Sequence, residues 1–206
     1  MKLVVCILLS ILTSIVHGQS TTIKNISETE LNADVFIGVD SFKNIYYTKD
    51  NTLFINGSRG NYEYAALNLG EITSVDIINP LKITVFYKMS NTVVILDNTL
   101  AEIKRINFTN IPAYRNVTHA RTANDRRLWI FNSDLLQLEL FDYNQNKVIT
   151  QFLPRADIPL AMTSNFNFCW LQMDSKLEHY NIYGALLDTQ DIAPMTENMS
   201  QFNGKI

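Results

Sequence analysis

The chain has 206 residues, of which 47% are hydrophobic and 18% are charged. This balance is typical of a folded globular protein and excludes a disordered chain. Its 17 basic and 20 acidic residues give a net charge of −3, so it lacks the basic excess of a nucleic-acid-binding protein.

The first 18 residues predict a secretory signal peptide. Lys2 supplies a positive charge, residues 3–16 are mainly apolar, and Gly18 provides a small residue before the expected cleavage point. A membrane anchor is the alternative, but the apolar stretch is shorter than the ~20 residues that a spanning helix needs. We therefore expect cleavage before Gln19 and a mature protein of the periplasm or cell envelope that does not span the membrane.

Cysteine usage predicts a mature chain without an intrachain disulfide. Cys6 lies within the predicted signal peptide, so cleavage would leave Cys169 alone. Cys169 stands between Phe168 and Trp170 in a strand-like run, which favours a buried, unreactive thiol over one that bridges to a partner.

Beyond the signal peptide, residues 19–31 are polar and predict a flexible leader. Residues 32–206 predict one domain built of repeats.

The repeat is visible when stretches of the chain are aligned. Residues 47–55 align without a gap on residues 87–95, an offset of 40. Residues 83–86 align on residues 128–131, an offset of 45, and a further copy follows about 40 residues later. Repeats of ~40–50 residues that are rich in short strands are typical of β-propellers. The predicted fold is all-β, a propeller-like array of about four blades of four antiparallel strands.

Strands and turns alternate along the predicted domain. The first unit shows three strands and each later unit shows four, at residues 35–37, 45–47 and 53–55; 72–77, 81–87, 93–96 and 102–108; 117–120, 128–131, 137–142 and 148–152; 161–163, 166–171, 177–183 and 186–189. Asp50 and Asn51 predict a tight hairpin, since Asp and Asn tolerate turn geometry. Residues 56–61, with two glycines, predict a loop. No helix is expected after the signal peptide, because Val, Ile, Thr, Tyr and Phe dominate the periodic runs.

The second strand of each later unit is nearly continuous in apolar residues, which predicts burial on both faces. A strand between neighbouring propeller blades has that environment. The third strands alternate more visibly, as in residues 137–140, and this favours a place nearer the rim.

Closure of the ring is left open by the sequence. About four blades is the low end of the range of ~4–8 for propellers. The strand at residues 34–37 could complete the final unit, the array could be open, or the chain could be a shortened version of a longer protein.

A search for catalytic motifs finds no nucleophile elbow, metalloprotease helix, phosphate-binding loop or dinucleotide fingerprint. His119 and His179 lie in different repeats, and packing or surface roles are favoured for both. Six aspartates fall at strand ends, where turn formation explains them: Asp40, Asp76, Asp97, Asp125, Asp142 and Asp174. We therefore predict no catalytic residue, no metal site and no cofactor.

Most aromatic residues fall inside predicted strands and are expected in the core. Tyr62 and Tyr64 follow the glycine-rich segment and are candidates for an exposed partner contact. Packing in the core or beside it is the alternative for both.

Several stretches carry a resemblance to a known family: residues 39–40 with 44–47, 70–76 with 79–83, 86–87, 91–98 and 128–132. On these residues the chain resembles a family of exported propeller-like proteins of Bacteroidota, over most of residues 36–145. The family includes the periplasmic plug that blocks the idle translocon pore of the type IX secretion system. The resemblance implies a non-enzymatic role in protein transport and a large outer-membrane β-barrel translocon protein as partner.

Two classes of function remain open. The first is a non-enzymatic protein-interaction module of the envelope, which would plug the periplasmic end of a type IX translocon pore. The second is a secreted carbohydrate-binding or glycan-hydrolysing propeller. Hydrolysis would need two carboxyl groups ~5–9.5 Å apart, and nothing in the sequence singles out such a pair.

Overall fold

The computed structural model describes residue 28 and residues 30–193. The predicted signal peptide and most of the predicted leader lie outside these residues. The chain divides between Asn32 and Ala33 into two units, and the fold below belongs to the second unit. No helix among the described residues is long and apolar enough to cross a membrane.

The described residues form four antiparallel sheets of four strands each, which we call blades 1 to 4. Blade 1 is β1 (Val35–Val39), β2 (Ile45–Lys49), β3 (Thr52–Gly57) and β4 (Gly60–Tyr64). Blade 2 is β5 (Ser74–Asp76), β6 (Ile83–Tyr87), β7 (Thr92–Leu96) and β8 (Glu102–Asn107). Blade 3 is β9 (Val117–Thr122), β10 (Arg127–Asn132), β11 (Gln137–Asp142) and β12 (Lys147–Gln151). Blade 4 is β13 (Ala161–Ser164), β14 (Phe168–Gln172), β15 (Lys176–Asn181) and β16 (Leu186–Asp191).

The strands of each blade pair in chain order, which confirms the predicted fold class. The only helical element of the described residues is a 3₁₀ turn, Leu67–Leu69. Val, Ile, Phe and Tyr fill the inner strands because branched and aromatic side chains pack well on a pleated surface.

Three buried clusters hold the blades together, one at each junction of successive blades. The first joins blades 1 and 2, the second joins blades 2 and 3, and the third joins blades 3 and 4. Along β6, Val85 and Tyr87 belong to the first cluster while Phe86 belongs to the second. Every residue of β6 is buried, as is every residue after the first in β10 and β14, which confirms the predicted two-sided burial of the second strands.

The array is open among the described residues. Of the three possible forms that the sequence left, ring completion by the strand near residue 34 is excluded, because β1 pairs with β2 in the first sheet. Blade 4 has four strands of its own, and no buried cluster of the described residues joins it to blade 1.

The predicted loop at residues 56–61 is a tight hairpin instead. Gly57 pairs with Gly60, and β4 follows as a fourth strand of blade 1 that the sequence pattern missed. A Cβ at Gly57 would lie 1.9 Å from Oδ1 of Asn44, and Gly60 has a φ of +141°, so both positions favour glycine. The polar, glycine-containing β4 escaped recognition because it is an edge strand without a two-sided apolar run.

The third strand of blade 3 does lie nearer the rim, yet its alternation does not expose it. Glu139 is 0% exposed, and its Oε2 accepts a hydrogen bond of 2.8 Å from Nε of Arg115. Blade 4 repeats this arrangement, with Arg155 paired to the buried Glu178. Each arginine comes from the connection that enters the blade, so each ion pair fixes a connection to a sheet.

We expect Arg115→Ala to destabilise the fold by about 3–5 kcal/mol, because it leaves the buried Glu139 charge without a cationic partner and with only two long hydrogen bonds, from Asn132 and Gln151. The matched control is Arg105→Ala, which breaks the exposed pair with Glu102 and should cost less than about 1 kcal/mol. Urea denaturation of both variants measures the difference. Equal losses of stability would contradict this account of the buried pair.

Candidate interaction surface

One end of the array gathers two kinds of loop. Because strands within a blade are antiparallel, the hairpin between the second and third strands lies at the same end as the connection to the next blade. We call this end the loop face and define it by the hairpins at residues 50–51, 88–91, 133–136 and 174–175 and the connections at residues 65–73, 108–116 and 152–160.

Hairpin residues with a left-handed backbone hold the connections of the loop face. Asn51 donates from Nδ2 to the Gly70 carbonyl (2.9 Å) and accepts at Oδ1 from the Ile72 amide (2.7 Å). Asn91, forty residues on, donates to the Arg115 carbonyl (2.6 Å) and accepts from the Val117 amide (3.1 Å). Both asparagines have positive φ, which Asn tolerates better than most residues.

Blade 3 uses backbone groups for the same purpose. Leu136 also has a positive φ, and its carbonyl accepts a hydrogen bond of 2.7 Å from the Arg155 amide. The sequence pattern marked Asn51 as a turn residue, but the second role of Asn51 and Asn91, across the blade junction, was missed. The loop face is therefore a braced surface.

Seven large apolar side chains are exposed on the loop face. Leu67 is 86% exposed, Met89 is 82% exposed and Leu153 is 79% exposed. The other four are Tyr114, Leu135, Ile158 and Leu160. Single exposed apolar residues are ordinary. The opposite end of the array exposes Phe42, Leu81, Phe166 and Tyr183, so the loop face carries the larger group and is the candidate contact surface.

The predicted contact residues Tyr62 and Tyr64 lie elsewhere, on β4 of blade 1. Both are half-buried and pack against the first cluster. The Tyr64 hydroxyl donates to Oε2 of Glu102 in blade 2 (3.2 Å), and the Tyr62 hydroxyl donates to the Arg59 carbonyl (3.4 Å). A role in partner contact stays a prediction for these two residues.

The inner strands are tied to one another by polar groups near the centre of the array. Arg121 on β9 donates from Nε to the Met162 carbonyl of blade 4 (2.8 Å). The Thr122 amide donates to Oδ2 of Asp76 in blade 2 (2.8 Å), and its carbonyl accepts from Oγ of Ser164 (2.8 Å). Asp76 therefore links blades 2 and 3.

Three other predicted turn aspartates accept hydrogen bonds from their own loops. Asp97 Oδ1 accepts from the Thr99 and Ala101 amides (2.8 and 2.9 Å), and Asp142 Oδ1 accepts from two amides of its hairpin. Asp40 accepts from two backbone amides and from the Tyr46 hydroxyl (2.9 Å). Burial opposes ionisation of Asp40, but these hydrogen bonds outweigh it and lower its pKa. The predicted turn roles of these aspartates are confirmed.

Histidine, cysteine and acidic residues do not gather into a metal site in the part of the chain that the structure describes. Cys169 is buried and free, as predicted, and burial raises the pKa of its thiol. The Cys169 thiol is therefore protonated and inert at neutral pH.

His179 stacks on Trp170, with ring centroids 4.5 Å apart and planes 5° apart.

His119 lies on β9, with its Nδ1 3.1 Å from Oγ1 of Thr118. Burial, followed by the positive charges of Arg121 and Lys88, lowers the pKa of His119 to about 4. The ring is therefore uncharged at neutral pH.

Comparison with known proteins supports the fold alone. No family model matches the chain, and no curated protein matches it. Among solved structures, virginiamycin B lyase from Staphylococcus aureus is similar at a TM-score of 0.55 and 15% identity, over 76% of this chain and 55% of the lyase. BamB from Moraxella catarrhalis is similar at 0.54 and 13% identity, over 84% of this chain and 54% of BamB.

A third similar structure is the Neurospora crassa Pan2 WD40 domain, at a TM-score of 0.55 and 10% identity, over 80% of this chain and 53% of that domain. These neighbours are β-propellers, so the chain has a propeller-like fold. The chain spans about half the length of each of these solved structures. One of the three is named as an enzyme and two are not, so the shared fold does not decide between catalysis and binding.

We expect acid to weaken the fold partly through His119. The folded-state pKa of about 4 lies below the ordinary value of 6.5, so the unfolded chain takes up this proton first as pH falls. This contribution of His119 to the free energy of unfolding is fully present above pH 6.5 and is lost as the pH falls to about 4. The loss is at most about 3 kcal/mol.

The measurement is denaturant unfolding of the parent and of His119→Gln between pH 4 and 7. Glutamine keeps a polar group near Thr118 but does not titrate. The variant should lose less stability than the parent over this range. Parallel stability curves for the two proteins would show that His119 does not titrate as described.

Proposed function

We propose that this chain is a non-enzymatic protein-interaction module of the cell envelope. The observation that carries the proposal is the set of seven exposed apolar side chains on the braced loop face. A propeller-like fold is well suited to this task, because its loops vary while its sheets hold them in place.

A rigid apolar surface favours binding to a folded partner. Leu67, Met89 and Leu153 each come from a different loop. Hydrogen bonds from Asn51 hold the connection that carries Leu67, and the bond from the Arg155 amide to the Leu136 carbonyl holds the connection that carries Leu153. Such preorganisation lowers the entropy that binding would otherwise cost. An interface of standard size needs ~800 Å² on each partner, which a propeller face of this kind can offer.

The proposed partner is a large outer-membrane β-barrel, and the proposed role is to plug the periplasmic end of a type IX secretion translocon. The resemblance to exported propeller-like proteins of Bacteroidota and the predicted signal peptide support this choice. A plug needs a surface that excludes water from its seat, and exposed leucine, methionine and isoleucine side chains serve that purpose.

Six carboxylates of the described residues are engaged in structural roles, which favours binding over hydrolysis. Asp40, Asp97 and Asp142 each accept hydrogen bonds from their own turn, and Asp76 is bound to the Thr122 amide. Glu139 and Glu178 are buried in ion pairs with arginine. A general acid or base needs a proton path to substrate, and these groups are engaged within the fold.

The test is recovery of partners on the tagged protein from gently solubilised native envelopes. We compare the parent with a variant that carries Leu67→Lys, Met89→Lys and Leu153→Lys. Because apolar anchors at an interface contribute about 1–2 kcal/mol each or more, the variant should bind the barrel at least about tenfold less. The folded state is checked by circular dichroism, since exposed positions tolerate lysine.

The matched control is Tyr183→Lys, which changes a side chain that is 84% exposed at the opposite end of the array. It should recover as much of the barrel as the parent does. Equal recovery by the triple variant and the parent would show that the loop face is not the contact surface. Recovery of no barrel by the parent, together with its retention on polysaccharide, would replace the proposal with the glycan-binding alternative.

A further inference from the structure

The two ends of the open array carry faces of the kind that pack together inside it. At each internal junction, the face of one blade that points forward along the array packs against the face of the next blade that points backward. Blade 1 keeps one face that no preceding blade of the described residues covers, and blade 4 keeps one that no following blade covers. We call these the leading face of blade 1 and the trailing face of blade 4.

The leading face of blade 1 has the residues of a buried junction but is partly open. Leu53 and Ile55 point into the first cluster, so Tyr47 and Phe54 point the other way. Tyr87 and Val94 of blade 2 align with Tyr47 and Phe54 in the repeat and point in the same direction. Both are fully buried against blade 1.

An aromatic row crosses three strands of the leading face. Phe36 pairs with Tyr47, and Tyr47 pairs with Phe54. The Tyr47 and Phe54 rings stack, with centroids 5.2 Å apart and planes 13° apart. Phe36 is 59% exposed. A row of this kind on a sheet face predicts a covering layer, because aromatic side chains dominate the energy of apolar contacts.

The trailing face of blade 4 is aromatic as well. Cys169 and Leu171 point into the third cluster, so Phe168 and Trp170 on the same strand point away from blade 3. The His179 ring lies 4.5 Å from Trp170 and 5.1 Å from Phe168 between centroids. Phe168 and His179 are half-buried.

We propose that the leading face of blade 1 packs on the trailing face of blade 4 from a second copy of this chain. Two copies then close head to tail into a ring of eight blades. Each new junction joins the same two kinds of face as the three internal junctions. The proposed ring is a two-fold symmetric dimer, in which the leading face of each copy contacts the trailing face of the other. The loop face takes no part in it, and the inference is independent of the proposed function.

Ring size supports a second copy as the occupant. The aligned part of this chain covers only 53–55% of the solved propellers reported above, so those propellers contain nearly twice as much chain as that part. Eight blades lie within the range of ~4–8 that is typical of propellers.

The first test is the mass of the full chain, purified from an exporting bacterial host so that any processing takes place, by light scattering after size-exclusion chromatography. We expect twice the mass of one chain. Phe36→Lys and Tyr47→Lys should shift the population to the single-chain mass, with unchanged circular dichroism. Met89→Lys, at an exposed site on the loop face, should leave the doubled mass unchanged.

The second test asks which faces meet. Glu63→Cys places a thiol on the leading face, since Glu63 pairs with Phe54, and Asp188→Cys places one on the trailing face, since Asp188 pairs with His179. Both positions are exposed, while the native Cys169 is buried. A flexible bis-maleimide should join the two variants when they are mixed, and should join neither variant to itself.

Each contrary result overturns the proposal. A single-chain mass at every attainable concentration excludes the ring and leaves a longer run of blades or another segment of the chain as the cover. Coupling of Glu63→Cys to itself shows a contact between two leading faces instead. Assemblies larger than two chains show that the contact does not close.

Discussion

The fold depends on one constraint, which is that the middle strands of each blade are apolar on both faces. A sheet of this kind cannot face water on either side, because burial of its side chains supplies the dominant free energy of folding. Val85 and Phe86 are neighbours on β6 that point into different clusters, so an inner blade such as blade 2 is covered by a neighbour on each face. Stacking of the sheets in an array follows from this requirement.

Polar groups then decide how the blades are placed relative to one another. The Glu139 and Glu178 carboxylates would be costly in the interior, and each is matched by an arginine from the connection before its blade. Asn51 and Asn91 do a similar task at the loop face with an amide group. Directional bonds therefore fix the junctions, while apolar burial drives their formation.

Much of the architecture could be predicted from the sequence because it follows from short-range pattern. Tyr47 and Phe54 align with Tyr87 and Val94 in the repeat, which indicates that these side chains point in the same direction in blades 1 and 2. The apolar run of β10 indicates burial on both faces of the sheet. By contrast, β4 is an edge strand whose glycines and polar residues resemble a loop. Glu139 looked like an ordinary alternating residue, since its partner Arg115 lies 24 positions away in a connection. The loop face could not be predicted from the sequence, because Leu67, Met89 and Leu153 lie far apart along the chain. Only the fold brings their three loops to the same end of the array.

A head-to-tail ring has a consequence for the loop face. Packing a leading face on a trailing face continues the order of blades, so every blade in both copies keeps the same direction along the ring axis. The two loop faces then lie on the same side of the ring and form one surface. A partner that contacts both copies gains from the effective concentration of the second contact, which raises its overall affinity without any new kind of interaction. Residues such as Phe36, far from the loop face, would therefore influence binding by controlling how many loop faces a partner meets.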